Sequence, residues 1–186
     1  MSTWAEREAR RIGKARRLIQ PGVECDGGVW ADLGCGDGIF TAALVTLLKP
    51  GSEIYAVDKD RHTLAALTRH FAESFPGASL HPVVADFAHP LALPRLDGLL
   101  MANALHFVRE QERVLAHMVG LLKPGGKLIV VEYNTNRGNL AVPHPIDDKG
   151  FLALAGKVGL SQASILNTMP STFLGEMYAG MAIAGS

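Results

Sequence analysis

Residues 29–41 read Val-Trp-Ala-Asp-Leu-Gly-Cys-Gly-Asp-Gly-Ile-Phe-Thr: an apolar run, an acid two residues ahead of a glycine, then glycines at alternate positions. Residues of these types bind a ligand rather than cleave one. Gly34, Gly36 and Gly38 put no side chain between backbone and ligand. The apolar run before them and Ile39-Phe40 behind them make a strand entering a turn that opens a helix, where open α/β sheets hold nucleotide-like ligands. A dinucleotide site asks for Gly-x-Gly-x-x-Gly, so that amides at a helix N-terminus meet a pyrophosphate. Here Gly38 falls one place early and Ile39 stands where the third glycine is expected. Asp32 repels phosphate and attracts a positive amino group. The chemistry indicated is capture of a nucleoside-like ligand that carries an ammonium.

Four further segments extend the pattern: Ile54-Tyr-Ala-Val-Asp58, Val83-Val-Ala-Asp-Phe87, residues 96–106 ending Met-Ala-Asn-Ala-Leu-His106, and residues 121–132, Leu-Leu-Lys-Pro-Gly-Gly-Lys-Leu-Ile-Val-Val-Glu. With the glycine motif, in this order, they resemble the class I S-adenosylmethionine-dependent methyltransferases from Val29 onward. The resemblance implies a Rossmann-like, seven-stranded, mostly parallel sheet with helices on both faces and a C-terminal antiparallel hairpin edge. It implies S-adenosylmethionine as cofactor. Asp32 then helps bind the methionine ammonium beside the turn of Gly34, Cys35, Gly36 and Gly38, and Asp58 holds the ribose hydroxyls. Asp86 and Phe87 meet the adenine edge, Lys59 lies along the adenine by its methylenes, and Ala102 and Asn103 complete the cofactor set.

The loop after the fourth strand faces the transferred methyl in that family, so His106 is the catalytic candidate; the other reading is an orienting or packing histidine. Tyr133, Asn134, Asn136 and Arg137 leave the fifth strand at the ligand-facing edge and are substrate candidates by position. His144 either rims the substrate pocket or decorates a loop, and Trp4 belongs to an amino-terminal helix that either packs or covers the acceptor. No metal is expected, because the seven histidines are scattered without ligand spacing.

The elements that must position these groups follow from periodicity. Residues 4–19 form an amphipathic helix with Trp4, Ala5, Ala9, Ile12, Ala15 and Ile19 on one side and Arg7, Arg10, Lys14 and Arg17 on another, stopped by Gln20-Pro21-Gly22. Helices are predicted over 39–49, over 61–74 behind an Asp60 cap, over 110–122 and over 147–158. Strands near 53–58, 80–84 and 127–133 alternate with them. Pro90 and Pro94 leave a short helix or none between the third and fourth strands, and apolar runs near 162–168 and 172–184 form the hairpin.

A chain of 186 residues with 48% apolar content reads as one domain, 1–186, with residues 1–22 as an amino-terminal helix and lid. Eighteen basic and 18 acidic residues give no global field for nucleic acid or a membrane. Cys25 and Cys35 are too few for a secreted scaffold, and no signal peptide or membrane span is present, so a cytoplasmic location is expected. No cysteine stands near the fourth strand for attack on a pyrimidine. Asn103-Ala104-Leu105-His106 also departs from the Asp/Asn-Pro-Pro-Tyr/Phe motif of base amino methylation, so nucleic acid is an unlikely partner. The expected activity is methyl transfer to a small-molecule acceptor. The alternatives are an RNA- or protein-directed enzyme and a catalytically silent cofactor-binding subunit. Oligomeric state is left open by the sequence.

Overall fold

The computed structural model describes residues 3–23 and 26–185; the side chains of Trp4 and Ala5, and all of Cys25, lie outside the described residues. Seven strands form one sheet in the order β3-β2-β1-β4-β5-β7-β6. They are β1 (Val29–Leu33), β2 (Glu53–Asp58), β3 (Ser79–Val84), β4 (Leu96–Ala102), β5 (Leu122–Tyr133), β6 (Leu160–Ser171) and β7 (Gly175–Ala184). The first five in the sheet run parallel, and β7 is antiparallel to both its neighbours. Chain order reverses between β1 and β4, which opens a crevice at their carboxyl ends.

Both faces of the sheet are covered, so its central strands are apolar without alternation. Trp30, Leu100, Ile129 and Ala179 face α1 (Trp4–Val23) and α2 (Ile39–Leu47), with α3 (Arg61–Ser74) packed beside α2 through Leu64, Leu67 and Phe71. Ala31, Leu99, Met101, Leu128 and Val130 face α4 (Gln111–Val119) and α5 (Asp148–Lys157). Asp60 caps α3 by accepting from the His62 and Thr63 amides, and Asp147 caps α5 at Gly150. Residues 85–95 contain no helix. Leu91 and Leu93 pack on the core in its stead.

Two local expectations are corrected. Gln20-Pro21-Gly22 does not stop α1, which runs on to Val23 with Pro21 inside it. Proline has no N–H to give the carbonyl one turn back. That carbonyl, of Arg17, accepts instead from Asn167 Nδ2 at 3.0 Å. A side chain at Gly22 would strike Leu166 and Ile129, so glycine lets the helix end lie against the sheet. The buried stripe is Ala15, Leu18, Ile19 and Val23, while Ala9 is exposed. The second correction concerns Lys123-Pro-Gly-Gly126, which lies within β5 rather than before it. Pairing jumps from Leu96↔Leu122 to Gly98↔Lys127, so these residues bulge out of the ladder.

Candidate functional site

The glycine turn closes on β2. Gly34 and Cys35 donate their amides to the Val57 carbonyl at 2.8 and 3.1 Å, and Gly36 donates to Asp58 Oδ2 at 2.9 Å. With those three amides turned inward the loop is no phosphate cradle, in keeping with the early third glycine. Gly34 and Gly36 have φ of 73° and 51°, a left-handed backbone that suits glycine. A side chain at Gly34 would also meet the Ala104 methyl at 2.9 Å, so the turn and the segment after β4 touch.

Asp32 is buried beneath this turn and accepts from Thr41 Oγ1 at 2.7 Å. Burial pushes its carboxyl up to about 7, opposed by the Thr41 hydrogen bond and helped by the charges of Asp58 and Asp37. Its side chain is not part of the cavity wall. The structure therefore places Asp32 behind the turn, out of contact with the cavity. Burial likewise raises the Cys35 thiol, keeping it neutral.

In front of the turn lies a cavity of about 1000 Å³. Gly34, Cys35, Gly36, Asp58, Lys59, Asp86, Phe87, Ala102 and Asn103 all line it, so nine of the predicted cofactor residues come together on one side. Gly38 turns instead toward Leu67 of α3 and serves the helix start. Asp58 keeps its place by accepting from Gly36 and, through Oδ1, from the Asp60 amide at 2.9 Å. Asn103 is a non-glycine residue at φ 52°, and its Oδ1 is a buried side-chain oxygen without a hydrogen-bond partner among the described residues. A strained backbone and an unmatched acceptor in a cavity wall mark a place where a ligand contributes the missing donor.

The opposite wall comes from distant parts of the chain. Arg11, Lys14, Ala15 and Leu18 of α1, Ile39 and Phe40 of α2, Tyr133, and Met169–Thr172 with Met177 of the β6–β7 hairpin supply it. Arg11 also pairs with Asp37 at 2.6 Å, tying α1 to the glycine turn. Of these residues, Tyr133 alone is among the predicted substrate contacts. Asn134 is spent bracing the fold, donating to Glu176 Oε1 at 2.8 Å and accepting from the Asp148 amide at 3.1 Å. Asn136 and Arg137 are exposed and stand outside the cavity. His144 is held by its backbone, which donates to the His106 carbonyl and accepts from Gln111 Nε2.

His106 is buried, as is Glu132 at the end of β5. The imidazole Nδ1 lies 2.6 Å from Glu132 Oε2, and the His106 amide donates to Oε1 at 3.1 Å. Because a carboxylate only accepts, Nδ1 carries a proton, and in the neutral ring Nε2 then holds the lone pair. The ring is not in the cavity wall, but the two aromatic residues beside it are: Phe107 at 4.3 Å and Tyr133 at 6.2 Å between centroids. Glu132 escaped sequence reasoning because it sits inside an apolar strand. An acid in such a run, level with a histidine on the adjacent strand's exit, is the signal that would have found it.

Comparison with known proteins agrees with this geometry. The family model described as "Methyltransferase domain" matches residues 31–130, more than half of the chain. An uncharacterized methyltransferase of Mycobacterium tuberculosis is 33% identical over 118 residues, which is 63% of this chain and 55% of that protein. A ubiquinone/menaquinone biosynthesis C-methyltransferase of Bordetella parapertussis is 27% identical over 136 residues, 72% of this chain and 50% of that one. The chain thus spans about half the length of the curated relatives it matches. Among solved structures, magnesium protoporphyrin IX methyltransferase of Synechocystis, with S-adenosylmethionine bound, superposes with a TM-score of 0.70 at 17% identity, covering 96% of this chain and 80% of the other. From the matched family, the sheet order and the acids ranged at the strand ends, the chain belongs to the S-adenosylmethionine-dependent methyltransferases.

Proposed function

We propose that this chain transfers the methyl group of S-adenosylmethionine to a small-molecule acceptor, and that His106, backed by Glu132, takes the acceptor's proton. The observation that carries this reading is one continuous cavity with two unlike walls. At about 1000 Å³ it stands at the top of the range for ligand pockets, leaving room for an acceptor beside the cofactor. When bound, S-adenosylmethionine supplies an electrophilic methyl on a sulfonium, displaced in line by an electron pair of the acceptor. The chain's own work is alignment and exclusion of water. Asp58 offers its free lone pairs to ribose hydroxyls, and Asp86 and Phe87 flank the base. Leu18, Phe40, Met169 and Met177 give the acceptor an apolar bed.

The Nδ1 of His106 lies against a buried carboxylate, which leaves Nε2 of the neutral ring to act as base. The His106 ring lies behind Phe107 and Tyr133 of the cavity wall, so this role requires the exposed Phe107 ring to swing aside when the acceptor binds. The small-molecule reading draws on the relatives as well, whose names point to quinone-precursor carbon and to a porphyrin. A carbon acceptor must shed a proton, as a base at this position requires. His106→Asn and Glu132→Gln, assayed with labelled S-adenosylmethionine over an acceptor library, should lower turnover roughly 10²–10⁴-fold. S-adenosylhomocysteine affinity by calorimetry should stay within a few-fold. Parent-like turnover in His106→Asn would remove the base assignment; no turnover by the parent on any acceptor would remove the enzyme reading.

A further inference from the structure

Three side chains form a row across the antiparallel end of the sheet. Tyr133 at the end of β5 stands opposite Met177 of β7, and Met177 stands opposite Met169 of β6. Residues paired across strands share a face, and all three line the cavity. One step back along β5 the face changes: Glu132 and its partner Tyr178 are buried. The row therefore runs along the wall given to the acceptor as two thioethers leading to one phenol.

The two tyrosines of these strands are treated differently. Tyr178 Oη donates to the Ile146 carbonyl at 3.1 Å, the partner that a buried phenol needs. Tyr133 is half-buried, and its hydroxyl forms no hydrogen bond among the described residues. Nor is that hydroxyl sealed inside the protein, because among the described residues Asn103 Oδ1 is the one buried side-chain N or O atom without a partner. The Tyr133 ring is fixed by an edge contact to Phe173 at 5.5 Å and by His106 at 6.2 Å between centroids. A phenylalanine would make both contacts as well. Packing accounts for the ring and leaves the hydroxyl without a task in the fold.

Burial, and after it the charge of Glu132, hold this phenol above its ordinary value, so it keeps its proton at neutral pH and can donate. Other polar groups of the same wall are spent or stand in water. Arg11 is paired with Asp37, Ser171 Oγ accepts from the Phe173 amide, and Lys14 and Thr172 are exposed. A neutral donor at the end of an apolar row suits an oxygen carried on an apolar body.

We infer that Tyr133 is a specificity-determining residue, its hydroxyl donating to a hydroxyl or carbonyl oxygen of an acceptor whose apolar body lies on Met177 and Met169. The inference deepens the proposed function and rests on reading the cavity as the acceptor site. Tyr133 keeps its own proton throughout, and the proximity of the His106 ring places the held oxygen within a few bonds of the atom that loses its proton. The test is equilibrium dialysis of 1-naphthol and of naphthalene, which differ by one hydroxyl, against the parent and Tyr133→Phe, each loaded with S-adenosylhomocysteine. The substitution should weaken 1-naphthol binding roughly fivefold, the scale of one neutral hydrogen bond, and leave naphthalene binding within about twofold. Melting temperature and S-adenosylhomocysteine affinity should match the parent, since the hydroxyl bonds to nothing in the fold. Equal weakening of both probes, or of neither, overturns the inference, as does failure of the parent to bind 1-naphthol. Failure of the parent to bind S-adenosylhomocysteine strikes the cofactor reading instead, and the same two probes on the unloaded proteins then decide the role of Tyr133.

Discussion

The two walls of the cavity are built on different principles. The wall formed by the glycine turn, Asp58 and Asp86-Phe87 comes from residues at the ends of adjacent parallel strands, and the turn is tied to β2 by its own amides. The facing wall is assembled from α1, the β6–β7 hairpin and Tyr133, which meet only when the ends of the chain pack together. One wall is specified by motifs and the other by packing. A ligand common to a family can be held by the first, while the second is free to vary with the acceptor.

The largest effect should come from unsettling the packed wall. Ile19 is fully buried in the cluster that joins α1 to α2 and the sheet. Ile19→Ala should cost about 2–5 kcal/mol in a denaturant melt, through lost transfer energy and the cavity left behind. A loss below about 1 kcal/mol would mean that α1 rides loosely on the domain, and a mobile lid would then replace the fixed wall described above.

The pH response of the motif wall comes next. Asp32 has a folded value of about 7 against 3.8 for the free side chain, the cause being burial. The folded protein thus holds this proton more tightly than the unfolded chain. Its contribution to stability is complete below about pH 4 and is lost as pH rises through about 7, at most a few kcal/mol. Asp32→Asn, which keeps an acceptor for Thr41, should flatten the denaturant midpoint across this window relative to the parent. Identical slopes for the two proteins would assign the titration to another group.

The smallest effect tests whether the motif wall works by contact. Asp58→Ala should weaken S-adenosylhomocysteine binding by about 1–3 kcal/mol in calorimetry, the scale of a hydrogen bond to a charged group. The melting temperature should barely move, because Asp58 is half-buried at a strand end and accepts only from the Asp60 amide and from Gly36, whose turn is held also by Val57. An unchanged affinity with a collapsed melting point would turn Asp58 into a structural brace.

Most of the sheet was legible in the chain. Apolar runs alternating with capped amphipathic helices gave the parallel order, and Asp60 and Asp147 fall where their capping residue types required. Gln20-Pro21-Gly22 read as a helix stop, whereas the Arg17 carbonyl that Pro21 leaves without its helical donor accepts from Asn167 Nδ2, on a strand at the far end of the sequence. Ala9 was placed inside by periodicity and is exposed, because only the carboxyl-terminal half of α1 presses on the sheet.

By itself the sequence determined which acids and glycines meet at the cavity: at the ends of consecutive strands they are brought together by any parallel α/β sheet, so local spacing suffices. Only the tertiary structure decided that Asp32 lies behind the turn, that His106 is paired with Glu132, and that Asn134 and His144 brace the fold while Met169 and Met177 line the cavity. Each of those outcomes depends on where a side chain points once strands distant in sequence are in register, and on which buried polar group finds a partner. Neither is a property of any short stretch of chain.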